Sequence, residues 1–216
     1  MLNLIWDLDG TLIDSEEEVL ESLKLALTDA NIDILKSVKS LRVGPTIDNI
    51  LRASFDPLYL SNEKLQDTVR AFRQRYDSSS FLHTHSFTGI DAIVHDTVDY
   101  AHYIITNKPD LPSRKIIHKL GWDVKIREII TPYSFGSDKK EKSELFKYLI
   151  ELQGLNKETT YGIGDMASDC YAAKCAGIKT IGVLWGTGTK DELADVDYLC
   201  STVSELKVLL GTLCRK

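Results

Sequence analysis

The sequence predicts an α/β fold: a Rossmann-like, doubly wound parallel sheet as the core, with a small all-helical cap domain inserted after the first strand. Three observations lead there. The stretch Leu2 to Leu8 is apolar almost throughout and then breaks into Asp9-Gly10-Thr11, as a central strand buried on both faces does when it ends in a functional loop. Short apolar runs recur at His102 to Thr106, Ile126 to Thr131, Thr159 to Ile163 and Thr180 to Trp185, separated by helical patterns at Ser113 to Leu120, Ser143 to Leu152 and Asp169 to Ala176. Strand alternating with helix makes a parallel sheet. Between about Glu16 and Ser80 the period changes, because Val19, Leu20, Leu23 and Leu27 recur at helical spacing and no strand interrupts them.

The expected division is therefore a core of residues 1–15 and 81–216 and a cap of residues 16–80, with breaks in the cap near Asn31 to Asp33, at Gly44-Pro45 and at Asp56-Pro57. A chain of 216 residues supports one such core with an insertion rather than two equal domains. Its net charge of −6 opposes a phosphate backbone at long range, which argues against nucleic acid as a partner. A small phosphorylated anion would need a cation or a local positive site. No apolar run is long enough to span a bilayer, and the N-terminal stretch lacks the basic region and cleavage site of a signal peptide. Cys170, Cys175, Cys200 and Cys214 show no CxxC spacing, so reduced thiols in a cytoplasm are the expectation.

The chemistry concentrates where strands end. Asp7 and Asp9 alternate along the first strand and so share a side near its carboxyl end, the edge at which open parallel sheets carry their sites. Two carboxylates so close repel each other unless a hard cation lies between them, and Mg²⁺, which takes oxygen ligands, fits. The bland alternative is a capped turn with solvated acids and Gly10 supplying a positive φ. A second acidic pair, Asp165 and Asp169, follows the run Thr159 to Ile163 at the same edge, although Asp169 alone could be an ordinary acidic helix start. Thr106, Asn107 and Lys108 end a third strand, where Thr106 and Asn107 offer donors for phosphate oxygens, yet Thr-Asn-Lys-Pro is also common turn chemistry.

Taken together these residues resemble the haloacid dehalogenase superfamily, in its phosphoglycolate-phosphatase-like and β-phosphoglucomutase-like branch with a helical cap. Asp7, Asp9 and Thr11 match the DxDGT motif, Thr106 the hydroxyl motif, and Asp165 with Asp169 the GDxxxD motif. The resemblance implies a Mg²⁺-dependent phosphatase that acts on a small phosphorylated metabolite. Asp7 is the implied nucleophile and Asp9 the implied acid and base. Asp7, Asp9, Asp165 and Asp169 are the implied metal site; Thr106 and a lysine hold the phosphoryl oxygens, with Gly10, Thr11 and Asn107 beside them. The lysine motif departs from the family, since Asp138-Lys139-Lys140-Glu141-Lys142 lacks the usual proline. Aligning the following Leu145-Phe146-Lys147-Tyr148-Leu149 with the family pattern puts Lys142 in the motif position, and Lys142 is the lysine expected there; a Lys-Pro register would instead select Lys140. In the cap, Arg42 and Arg73 are candidate substrate contacts, while His83 and His85 read as the return to the core rather than a metal site. A phosphomutase and a non-catalytic phosphate-binding module are the alternatives; the cap loop lacks the basic residue after Gly44 that the mutase branch implies.

Overall fold

A computed structural model of the chain describes residues 1–32, 47–55, 61–136 and 138–215. By its internal contacts the chain forms two compact units, one of Met1–Asp14 and His85–Lys216 and one of Ser15–Thr84.

The first unit is built on strands β1 (Leu2–Trp6), β4 (Tyr100–Ile105), β5 (Ile126–Ile130), β6 (Thr160–Gly164), β7 (Lys179–Val183) and β8 (Tyr198–Cys200). They form one sheet in the order β5-β4-β1-β6-β7-β8, and every pairing is parallel. A separate two-stranded antiparallel pair is formed by β2 (Ile13–Asp14) and β3 (His85–Ser86). Helices α4 (Ile90–Val94), α5 (Asp110–Lys119), α6 (Lys142–Gln153), α7 (Ala167–Cys175) and α8 (Val203–Leu213) make the crossovers and the C-terminal layer. The chain moves from β1 outward to β4 and β5, then returns to β6 on the other side of β1. The order thus reverses between β1 and β6, and an open α/β sheet has its crevice at such a switch point, outside the carboxyl ends of the strands.

Burial explains which elements were legible. Every residue of β4 is buried, as are Leu4, Ile5 and Trp6 of β1, giving continuous apolar runs. On one face Ile5, Tyr103 and Ile105 pack with Phe146 and Leu149 of α6 and Ala173 of α7. α7 lies so close to β6 that a side chain at Gly162 would strike the Ala173 methyl. The observed strands and helices differ from the expected bounds by up to three residues at an end. Missing from the expectation are the two-residue strands β2 and β3, the short α4, and the C-terminal β8 and α8. β8 pairs in parallel with β7 over Tyr198 to Cys200, and polar contacts fix the residue before it: Thr180 donates through its N–H and hydroxyl to Asp197 Oδ2 at 2.8 Å each, and the Asp197 N–H returns to the Thr180 hydroxyl at 3.0 Å.

The second unit holds α1 (Glu16–Asp29), α2 (Ile47–Ser54) and α3 (Asn62–Ser78). Val19, Leu23, Ala26 and Leu27 form the buried stripe of α1. Phe72 stacks on Tyr76 at 5.1 Å, and Phe81 meets Tyr76 edge-on at 5.2 Å. Glu18, buried near the start of α1, accepts from the Ser79 hydroxyl and, at 2.8 Å, from the His83 N–H. These contacts place residues 81–84 with the helices, so the division falls after Thr84 rather than after Ser80. The Gly44-Pro45 and Asp56-Pro57 breaks lie outside the described residues.

His102 sits fully enclosed in β4. Trp6 Nε1 donates to its Nδ1 at 3.1 Å, which leaves the imidazole proton on Nε2, facing the Asp96 carbonyl at 3.1 Å. Burial pushes the His102 pKa below its ordinary value, against the opposing pull of Asp96. The folded imidazole therefore stays neutral where the unfolded one takes up a proton, and stability must fall as the pH drops below about 6.5. We expect this residue to contribute a loss of up to ~1.4 kcal/mol per pH unit in that range. Urea midpoints at pH 7.5 and 5.5 should show a smaller acid loss in His102→Gln than in the wild type; equal losses would assign the acid sensitivity elsewhere.

Candidate active site

The strand ends on either side of the switch point carry the acids. Asp7 directly follows β1, and its N–H extends the ladder to Ile163 of β6 at 2.8 Å. Asp165 directly follows β6 and is completely enclosed. Asp169 lies in the first turn of α7 and is buried too. Among the described residues, Asp7, Asp165 and Asp169 each offer an oxygen within 4.8 Å of the others.

Lys142, the first residue of α6, enters this cluster and is itself buried, which is rare for lysine without partners. Its Nζ donates to Asp7 Oδ1 at 2.5 Å and to Asp169 Oδ1 at 2.7 Å. The start of α6 is set locally, because the Glu141 N–H donates to Glu144 Oε2 at 3.0 Å. Lys139 is exposed; Lys140 is half-buried and its N–H is taken by the Pro132 carbonyl at 3.0 Å.

Asp169 does two things at once. One oxygen accepts from Lys142 and the other, Oδ2, accepts from the Met166 N–H at 3.2 Å, closing the α7 N-terminus. The helix-start reading and the site reading of Asp169 are thus compatible. A side chain at Gly164 would collide with Asp169, so the close approach of β6 to this turn requires glycine there.

Burial pushes the Asp7 carboxyl well above its usual range, opposed by Lys142 and reinforced by Asp169 and Asp165. Burial also works against the charge on Lys142, but Asp169 and Asp7 outweigh it and hold the ammonium form. Asp165 is raised by burial, with hydrogen bonds from Thr187 pulling the other way. When all are ionised, three carboxylates face one ammonium, and the all-oxygen donor set with its excess negative charge suits a hard divalent cation such as Mg²⁺.

The loop after β1 turns tightly. The Gly10 N–H donates to the Ile13 carbonyl at 2.9 Å, and Gly10 takes φ +80° with Asp165 against it, leaving no space for a side chain. Asp9 is half-buried and stands apart from the acidic trio: Lys108 Nζ lies 2.9 Å from its Oδ1. Thr11, expected beside the substrate, is buried, and its hydroxyl donates to Asp165 Oδ1 at 3.1 Å. Thr106 is buried beyond the end of β4 and its hydroxyl accepts the Lys108 N–H at 3.1 Å, while Asn107 is exposed. Arg73 is exposed on α3, and Arg42 lies outside the described residues. The His83 ring stands beside Glu17 and Glu21, at 3.5 and 3.8 Å.

Two contributors escaped the sequence reading. Lys108 was visible only as part of an ordinary turn, yet it is buried against Asp9. Thr187 follows β7 and donates through its N–H and hydroxyl to Asp165 Oδ2 at 2.8 and 2.9 Å. The available signal was the Trp185-Gly186-Thr187-Gly188 run, whose paired glycines mark a close backbone approach.

Comparison with known proteins gives a consistent family. A 5'-nucleotidase of Pseudomonas aeruginosa is 27% identical over 213 residues, covering 96% of this chain and 95% of that protein. A phosphoglycolate phosphatase of Xylella fastidiosa is 27% identical over 189 residues, covering 85% and 80%. Among solved structures, a predicted phosphatase from Clostridium acetobutylicum superimposes with a TM-score of 0.78 at 24% identity, covering 97% of this chain and 98% of that one, which shows a shared fold. The family model described as haloacid dehalogenase-like hydrolase matches residues 4–183, a span that contains Asp7, Asp9, Thr106, Lys142, Asp165 and Asp169, and the chain belongs to that family.

Proposed function

We propose that this chain is a Mg²⁺-dependent phosphatase that hydrolyses a small phosphorylated metabolite through an aspartyl-phosphate on Asp7. That it is a phosphatase of the haloacid dehalogenase type accords with its family and with its phosphatase-named relatives. The observation that carries the mechanism is the Asp7 carboxylate, buried at the carboxyl end of β1 and held by Lys142, with Asp165 and Asp169 beside it. Phosphoryl transfer asks chiefly for positioning and charge neutralisation, and this cluster supplies both.

In the first step an Asp7 oxygen attacks phosphorus, the bond to the leaving oxygen breaks, and Asp9 delivers a proton to that oxygen. In the second, Asp9, again a carboxylate, takes a proton from water as the water oxygen attacks phosphorus and releases Asp7 and inorganic phosphate. Lys108 holds the Asp9 side chain between the two steps. Lys142 keeps Asp7 oriented and faces the charge that develops on the phosphoryl oxygens. Thr106 stands at the neighbouring strand end as a further donor. Mg²⁺, held by Asp7, Asp165 and Asp169, with Asp9 contributing its backbone carbonyl, would lower the repulsion between the nucleophile and an anionic substrate.

Relatives named 5'-nucleotidase and phosphoglycolate phosphatase support two substrate classes as the first candidates, a short phosphorylated acid of the phosphoglycolate type and a nucleoside 5'-monophosphate. Phosphate release from a panel containing phosphoglycolate, nucleoside 5'-monophosphates and sugar phosphates, with Mg²⁺ and with EDTA, should show turnover only with Mg²⁺ and strongest on one of the first two classes; no release from any substrate would remove the hydrolase reading. Asp7→Asn should abolish that turnover while keeping the far-ultraviolet circular dichroism of the wild type, whereas activity near wild type would exclude Asp7 as nucleophile. Loss of the buried contact in Lys142→Ala should cost about 3 kcal/mol or more, roughly a hundredfold in kcat. Lys139→Ala and Lys140→Ala should change kcat by less than about threefold. A collapse in Lys140→Ala alone would transfer the role to that residue.

A further inference from the structure

We propose that Thr187, carried on the Trp185–Gly188 turn after β7, is a positioning residue for the cation site: it orients Asp165 so that Oδ1 is the oxygen given to the metal. This rests on Asp165 being a cation ligand, as read above.

A carboxylate has roughly four lone-pair sites, two on each oxygen. Thr187 places two donors on Asp165 Oδ2, its N–H at 2.8 Å and its hydroxyl at 2.9 Å, and so fills that oxygen. Thr11 places one donor on Oδ1 at 3.1 Å. One lone pair remains, on Oδ1. The terminal torsion of aspartate is soft, and burial alone does not choose between its two oxygens. The three hydrogen bonds make that choice before any cation arrives, which spares the site the reorientation on binding.

The turn that carries Thr187 is itself held to the loop after β1. Trp185 Nε1 donates to the Thr11 carbonyl at 3.0 Å, so the segments supplying both sets of Asp165 donors are tied together. A side chain at Gly186 would meet the Gly10 carbonyl and the Asp165 carboxylate, and one at Gly188 would meet the Asp165 carbonyl. Both glycines are thus needed for the turn to approach this closely. Thr187 itself is exposed, so changing it removes a donor without opening the core. Partners of this kind, which touch a ligand rather than the metal, typically change metal affinity by about 10- to 100-fold when lost.

The test is Mg²⁺ binding to the purified full chain without substrate, by calorimetry and by the Mg²⁺-dependent shift of the thermal midpoint, for the wild type, Thr187→Val, Thr187→Ala, Thr187→Ser and Asp165→Asn. Valine and alanine should each weaken Mg²⁺ by about tenfold. Serine, which keeps the hydroxyl, should stay within about twofold of wild type, and the metal-free midpoints of the Thr187 variants should match. Wild-type affinity in both Thr187→Val and Thr187→Ala, with binding lost in Asp165→Asn, would overturn the role of Thr187 and leave the cation site standing. Equal weakening in the serine variant would overturn it too. Undiminished binding in Asp165→Asn would instead remove Asp165 as a ligand, and the inference with it.

Discussion

Three carboxylates buried around one lysine at the switch point of the sheet set the terms for everything near them. Taking Asp7, Asp165 and Asp169 out of water is costly, and Lys142 reaches only two of them, at 2.5 and 2.7 Å. The third, Asp165, is met by neutral donors from Thr11 and Thr187. Such an arrangement leaves a net negative charge in a confined place, which is unfavourable in isolation and suited to a divalent cation and a phosphoryl group together.

The surrounding backbone is shaped to allow that crowding. β1 and β6 are neighbours in the sheet, so Asp7 and Asp165, far apart in sequence, end up at adjacent strand ends. Glycines stand where the chains come closest: Gly10 and Gly186 against the Asp165 carboxylate, Gly188 against its backbone carbonyl, and Gly164 against Asp169. Polar side chains that looked like substrate contacts serve this inner scaffold as well. Thr11 donates to Asp165 and Thr106 accepts from Lys108.

The unit of Ser15–Thr84 has a different internal logic. Its stripe of apolar residues on α1 and the aromatic set of Phe72, Tyr76 and Phe81 form a separate small core, and Glu18 fastens the returning segment near Ser79 and His83. The exposed Arg73 contrasts with Arg75, which is committed to Asp29 at 2.5 Å. Two arginines so close in sequence therefore have unequal freedom to meet an anion.

The sequence by itself determined the parallel α/β core, because buried central strands such as β1 and β4 must be apolar on both faces and their ends must switch abruptly to Asp7 or Thr106. It also showed the acids, since Asp-Leu-Asp-Gly-Thr and Gly-Asp-x-x-x-Asp are local patterns. It did not show the three-residue β8, nor β2 and β3, all of which are too short to display a period. Only the tertiary structure decided which lysine of three meets Asp7, that Asp9 faces Lys108, and that Thr187 fills one oxygen of Asp165. Those are contacts between residues remote in the chain, and local composition carries no record of which side chain crosses a sheet edge to meet another.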